Sequence, residues 1–152
     1  MGFRDLTADE IEHVLERERV VRLGFATDDE LYVVPVFYTW FEGALCGLTT
    51  PGRKTEMAEG SRAVAFQVDS TGATGPFEWA SVSGEGTWEV VTDQAEYGHF
   101  AAKLSASLAD APEWAAQMLQ QRFMRLGMVA WRIRPGVVSG RAHGPDEDDA
   151  LV

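Results

Sequence analysis

The residues best suited to bind a charged ligand lie in one short stretch, Thr49 to Lys54, which reads TTPGRK. Two threonine hydroxyls end an apolar run, a Pro-Gly pair makes a turn, and two cations follow. Phosphate recognition needs converging donors and positive charge, and the first turn of a following helix adds free N–H groups. The stretch therefore predicts an anion site. Taken alone, it is more typical of a surface turn between a strand and a helix.

Other chemistries find weaker support in the sequence. Cys46 is surrounded by apolar residues, which is typical of a packed thiol and not of a nucleophile. Ser81 and Ser83 lack the GxSxG elbow, and the GEG segment lacks the further residues of a nucleotide-binding loop. The histidines are far apart and have no Cys or carboxylate at metal-ligand spacing: His13, His99 and His143. The sequence therefore predicts no metal site and identifies no catalytic side chain.

Charge and composition narrow the class of partner. The chain has 152 residues, a net charge of -11 and 45% hydrophobic residues, as expected for one globular domain. The negative field opposes binding to nucleic acid and to anionic membranes. No apolar run approaches the roughly 18 residues of a membrane span. A small anionic ligand is compatible with this charge where a local pocket overrides the global field.

The two ends of the chain and its single cysteine suggest a compartment and a domain boundary. The opening residues lack the basic and apolar regions of a secretory signal, and one cysteine excludes an internal disulfide, so we expect a cytoplasmic protein. The last residues, GPDEDDALV, are acidic. We predict one domain over 1–143 and a flexible acidic tail over 144–152.

Hydrophobic periodicity predicts about six strands with helices between them. A capping box at Thr7 to Glu10 starts a helix that extends to Glu18. Further helices are predicted at Arg53 to Glu59, with Gly60 following the helix, at Thr92 to Leu108, and in a short piece around Trp114, Met118 and Leu119. The strand segments are VVRLGFAT, LYVVPVFYTW, ALCGLTT, RAVAFQVD, EWASVSGEGTWEVV and MVAWRIRP, and STGATGP is a flexible connection.

Short turns between these strands favour antiparallel pairing. Pro35 cannot donate to a ladder and so predicts an edge or a bulge in its strand. Gly84 and Gly86 predict a bulge or bend in another. We therefore expect a mainly β protein with peripheral helices, whose antiparallel sheet curls into a barrel.

The order of these segments resembles the flavin-binding split-barrel proteins related to pyridoxamine 5'-phosphate oxidase. The resemblance covers Thr7 to Val91, and the last strand resembles the family more weakly. Its most specific pieces are the VVPVFY strand, the Thr-Thr…Lys pair, and the RAVAFQVD strand about two turns later. It implies a six-stranded antiparallel split barrel that forms a homodimer, with FMN in a cleft at the subunit interface.

The resemblance also implies roles for particular residues. Thr49, Thr50 and Lys54 would hold the FMN phosphate, with Arg53 as an auxiliary. The backbone of Val34, Pro35 and Val36 would lie along the isoalloxazine ring, and Gln67 would either contact the flavin or face solvent.

One departure from the family pattern bears on the reaction. Pyridoxamine phosphate oxidases proper close with a Glu-aromatic-Trp segment and an Arg-aliphatic-His-Asx-Arg run. The segment AWRIRPGVVSGRAHG does not match that spacing, so vitamin B6 oxidation is not expected. The resemblance implies an FMN-binding oxidoreductase that transfers hydride or electrons through flavin N5 to a small substrate. The alternatives are a deazaflavin-dependent reductase and a non-catalytic flavin-binding or redox-sensing protein.

Overall fold

The first helix, α1, begins where the capping box predicts. The structure, a computed structural model, describes residues 2–145. A short strand, β1 (Gly2–Asp5), precedes α1 (Ala8–Arg17). The Thr7 side chain accepts a hydrogen bond from the Glu10 N–H, and the Glu10 carboxylate accepts one from the Thr7 N–H at 2.8 Å. These two bonds satisfy donors that a helix start leaves free, and they confirm the predicted helix.

The remaining elements alternate between strands and helices. The strands are β2 (Val20–Ala26), β3 (Leu31–Phe37), β4 (Thr39–Phe41), β5 (Ala44–Thr49), β6 (Ala63–Asp69), β7 (Trp79–Val90) and β8 (Val129–Gly144). The helices are α2 (Arg53–Gly60), α3 (Thr71–Thr74), α4 (Gln94–Ser107) and α5 (Glu113–Leu126).

All strand pairs are antiparallel, in the order β3-β2-β6-β7-β8-β5-β4, and β1 pairs with β8. The mainly β fold with an antiparallel curled sheet is therefore confirmed. Within residues 2–145 no ladder joins the edge strands β3 and β4, so the barrel is split.

The predicted number of six strands was wrong, because the described residues contain an 8-stranded sheet. One extra strand is β1. The other arises where LYVVPVFYTW breaks into β3 and β4 at Tyr38. This residue is 2% exposed, and its hydroxyl donates to the Leu15 carbonyl of α1 at 2.7 Å. Burial of Tyr38 under α1 interrupts the strand that sequence alternation had predicted to be continuous.

The two predicted irregularities are present. Pro35 lies in β3, an edge strand, opposite Arg22 of β2. A register shift between Gly84 and Gly86 bends β7 against β8. A Cβ atom at Gly86 would lie 2.7 Å from the backbone oxygen of Arg134, so the bend needs glycine there.

Several boundaries differ from the prediction. Strand β8 continues past Pro135 to Gly144, because Pro135 lies opposite the bulge at Gly86 and its missing N–H breaks no regular ladder. Helix α5 is 14 residues long, and α3 lies inside the predicted flexible connection. Gly60 is the last residue of α2 and does not follow it. Gly144 still pairs with Gly2, and residues 146–152 of the predicted tail lie outside the described residues.

The core lies inside the curled sheet, under α1. The alternate residues Val21, Leu23 and Phe25 of β2 are at most 3% exposed, as the strand pattern predicted. Trp88 and Trp131 stack with their ring centroids 5.2 Å apart. A smaller cluster lies under α4. None of the helices within 2–145 is long and apolar enough to cross a membrane.

Candidate anion and cofactor site

The TTPGRK stretch forms a strand, a turn and a helix, as its residue types predict. Thr49 ends β5, where it pairs with Val129 of β8. Thr49 and Thr50 are each 7% exposed, so the turn is buried at its start. Thr55 closes the turn, since its hydroxyl accepts from the Gly52 N–H at 2.9 Å and donates to the Gly52 carbonyl at 2.8 Å.

Two cations meet beside the buried threonines. Lys54 is half-buried, and burial lowers the pKa of its ammonium; the positive charge of Arg122 lowers it further. Arg122 comes from α5, and its Nη2 donates to Thr50 Oγ1 at 3.3 Å. Arg122 therefore contacts a neutral hydroxyl and lies near a second positive charge.

Neither cation is neutralised by the protein in the part of the chain that the structure describes. No carboxylate of residues 2–145 lies within ion-pair distance of Lys54 or Arg122. The chain has 24 acidic residues and only 13 Lys and Arg, so a pair of neighbouring cations without an acidic partner is unexpected. An anion bound here would relieve the repulsion between them.

Arg53 makes different contacts. Its guanidinium lies 4.2 Å from the centroid of the Tyr32 ring and pairs with Glu30 at 3.3 Å. Among the described residues it forms no hydrogen bond with Thr49 or Thr50. Arg53 therefore ties the start of α2 to β3, and its charge already has a partner.

The β3 residues implied by the resemblance form the edge of the sheet. Val34 and Val36 are half-buried and pack against the core, while Pro35 is exposed on the opposite face. Pro35 lies three residues beyond Tyr32, about 10 Å along the strand. The start of α2, which carries Lys54, is thus linked to this edge of the sheet through the Arg53–Tyr32 contact.

Gln67 lies in the same transverse row of the sheet as Pro35. The strand register pairs Pro35 with Arg22, and Arg22 with Gln67. Gln67 Oε1 accepts from Arg22 at 3.2 Å, while its Nε2 donates to Asp69 at 2.8 Å and to Ser81 at 2.9 Å. Gln67 is half-buried in this network, so its amide orientation is held by the protein.

A shallow groove of about 960 Å³ lies beside this row, on the outer face of β2, β6 and β7. Its lining includes small residues: Gly24, Ala65, Ser83 and Gly84. Ser83 lies directly opposite Gln67 in the register. Small side chains leave room for a flat group against the sheet.

The structure places Thr49 and Thr50 at the buried end of β5 and Lys54 in the first turn of α2, and it separately aligns Pro35 with Gln67. Sequence reasoning missed Arg122 and Arg22. No local signal could have found Arg122, because it lies 72 residues from Thr50 and its helix has an ordinary mixture of cations and apolar residues. Arg22 stands at an outward position of an alternating strand, where a solvated charge is the common case.

The other chemical candidates are not assembled into a site. Cys46 is 1% exposed, and burial raises the pKa of its thiol to about 12, so it stays protonated at neutral pH. Within residues 2–145, no group of three His, Cys, Asp or Glu side chains could hold a metal ion.

The antiparallel sheet curls into a barrel that is open between β3 and β4, which is the fold of the split-barrel proteins. The chain belongs to the pyridoxamine 5'-phosphate oxidase family, whose model matches residues 7–142. A comparison with curated protein sequences gives no match.

Solved structures share the fold over nearly the whole chain. An FAD-binding protein from Mesorhizobium loti is 30% identical, with a TM-score of 0.74 over 95% of this chain and 100% of that one. The FAD-binding protein of Mycobacterium smegmatis is 18% identical, with a TM-score of 0.62 over 91% and 98%. The haem storage protein of Vibrio cholerae is 12% identical, with a TM-score of 0.70 over 90% and 96%. The last two likenesses concern the fold alone.

Proposed function

We propose that this protein binds FMN and acts as an oxidoreductase on a small substrate. The observation that carries the proposal is the half-buried Lys54, four residues after the buried Thr50, with the positive charge of Arg122 nearby and no carboxylate partner within residues 2–145. Family membership and the 30% identity to an FAD-binding protein support a flavin as the group that carries the anion.

In this proposal the protein residues anchor and orient the cofactor. Lys54 and the two threonine hydroxyls hold the phosphate, while Arg53 supports the helix start from its contact with Tyr32. The exposed edge of β3 at Val34, Pro35 and Val36 presents backbone groups to the ring. Gln67 lies two strands from Pro35 in the same transverse row of the sheet, where hydrogen bonds to Asp69 and Ser81 hold its amide.

The bound flavin would supply hydride or electron transfer through its N5 atom. No side chain is assigned as a general acid or base. The protein's contribution is then the orientation of the ring and donors toward the side where charge builds on reduction.

FMN is preferred to FAD because one lysine and two hydroxyls match a terminal monophosphate. Two of the similar structures are FAD-binding proteins, which favours FAD instead. A deazaflavin is the third candidate. Titration of the protein with FMN, FAD and riboflavin, followed by flavin fluorescence, ranks these ligands. Tighter binding of FAD than of FMN would overturn the monophosphate assignment.

A non-catalytic role is the second candidate function, and the shared fold with a haem storage protein favours it. An oxidoreductase reduces and re-oxidises its flavin repeatedly with a nicotinamide or deazaflavin donor. A binding or sensing protein does not turn over under the same conditions. Absorbance of the flavin bands through successive additions of donor and acceptor separates the two functions, and a Soret band in the purified protein would point to haem.

We further propose a cytoplasmic homodimer with the cofactor at the subunit interface. The outer face of β3 supports this, since Leu31, Val33 and Phe37 are 83%, 70% and 56% exposed. Such an apolar face is costly in water, and a second copy would cover it. Light scattering during size exclusion is expected to give twice the chain mass, and Val33→Glu to shift it toward the monomer. A monomer that binds FMN would contradict the interfacial site.

Lys54→Ala tests the phosphate anchor. A charge-assisted contact is worth roughly 1.5–3 kcal/mol, so we expect FMN affinity to fall about ten- to a hundred-fold. Riboflavin has no phosphate and should lose much less. Lys103→Ala is the matched control, because Lys103 is exposed on α4. Equal losses for both flavins would indicate a general disturbance of the fold, and no loss for either would remove Lys54 from the site.

A further inference from the structure

Helix α5 is attached to the barrel by few contacts. None of its 14 residues is buried, and its N-cap residue, Pro112, makes no side-chain hydrogen bond to the helix. Its inward stripe consists of Ala115, Leu119 and Phe123, all only half-buried. Apolar packing of this extent stabilises a docked helix weakly.

One polar contact connects α5 to the barrel. Within the described residues, the bond from Arg122 to Thr50 is the only side-chain hydrogen bond between α5 and another part of the chain. At 3.3 Å it is long, and its acceptor is a neutral hydroxyl. The same guanidinium faces the charge of Lys54, which acts against docking. The Arg122–Thr50 hydrogen bond thus holds α5 in place against the repulsion between Arg122 and Lys54.

A bound phosphate would reverse the sign of that interaction. A dianion between Lys54 and Arg122 attracts both cations, and planar guanidinium groups match phosphate oxygens well. The Thr50 hydroxyl accepts from Arg122 and has no acceptor for its own proton among residues 2–145, so it can donate to the same anion. Three donors from two separate elements would then converge on one group.

We propose that Arg122 is a second cationic ligand of the phosphate that Lys54 holds, and that phosphate binding thereby fixes α5 against the barrel. The inference rests on the proposed function, because it takes the phosphate of FMN as the anion. Binding and docking are then coupled, and the coupling is reciprocal: a firmly docked α5 strengthens phosphate binding as much as phosphate strengthens docking.

The affinity test compares Arg122→Ala, Arg122→Lys and the control Arg125→Ala, which removes an exposed arginine from the same helix. Arg122→Ala is expected to weaken FMN binding about ten-fold and to leave riboflavin binding nearly unchanged. Arg122→Lys should recover part of the loss, and Arg125→Ala should bind both flavins as the wild type does. An unchanged ratio of FMN to riboflavin affinity in Arg122→Ala would overturn the proposal.

Hydrogen exchange tests the coupling with inorganic phosphate as the probe, so that it does not depend on flavin binding. Millimolar phosphate is expected to slow exchange of backbone amides in 113–126 of the wild type and of Arg125→Ala, but not of Arg122→Ala. Protection of α2 without protection of α5 would overturn the coupling. If the wild type binds no flavin, the proposed function fails, and phosphate protection of α5 alone decides whether Arg122 is an anion ligand.

Discussion

Helices α1 and α5 are both amphipathic, yet they are attached to the barrel in different ways. Helix α1 has a complete capping box, and its Val14 and Leu15 are 4% and 2% exposed. It also accepts the Tyr38 hydroxyl on a carbonyl. Helix α5 has neither a side-chain cap nor a buried residue. Helix α1 is therefore stabilised by burial against the barrel, whereas α5 is held by half-buried apolar side chains and one long hydrogen bond.

Truncation of matched leucines should give the largest difference between the two helices. Leu15→Ala removes a fully buried side chain and is expected to cost about 2–5 kcal/mol of unfolding free energy. Leu119→Ala removes a half-buried one from α5 and should cost under about 1 kcal/mol. Urea denaturation of both variants measures the two losses. Equal costs would mean that α5 belongs to the same cooperative core as α1.

FMN and riboflavin at equal saturation should stabilise the whole protein equally but differ in their effect on the docking of α5. At a hundred times its Kd, either FMN or riboflavin is expected to add about 2.7 kcal/mol to the unfolding free energy. Only FMN should slow amide exchange in α5, because only FMN carries the phosphate that Arg122 would contact. Exchange in α1 should follow global stability with both ligands. Equal protection of α5 by the two flavins would assign its docking to the ring.

Acid should weaken the start of α1, and this is the smallest effect we expect. Hydrogen bonds from the Arg4 side chain and the Thr7 backbone lower the pKa of the Glu10 carboxyl to about 2. Because the folded pKa lies below the unfolded value, Glu10 contributes stability above pH 4.5 that is lost as the pH falls toward 2. The Glu10 side chain is 39% exposed and lies at the helix start, so the loss should be confined to fraying of α1.

Amide exchange at the start of α1, measured at pH 5 and pH 3, checks this prediction. Glu10→Gln is the control, since it keeps a side-chain acceptor but cannot titrate. The extra fraying of the wild type at the lower pH should be absent in the variant. The same fraying in both proteins would assign the acid effect to other carboxyl groups.

The sequence by itself determined those features that depend on neighbouring residues. The capping box at Thr7, the alternation of Val21, Leu23 and Phe25, and the strand–turn–helix from Thr49 to Lys54 all lie within one or two turns of chain. Backbone hydrogen bonding and side-chain periodicity act over that range, so residue types suffice to predict them. The edge position of Pro35 followed in the same way from its missing N–H.

Only the tertiary structure decided which distant groups meet. Arg22 reaches Gln67 across 45 positions because strand register pairs them, and Arg122 reaches Thr50 across 72 because α5 docks beside the turn that follows β5. Tyr38 broke a predicted strand because α1 covers it, and Gly2 pairs with Gly144 because β8 extends past its proline. Such contacts are set by the packing of whole elements, and one residue's neighbours along the chain carry no information about them.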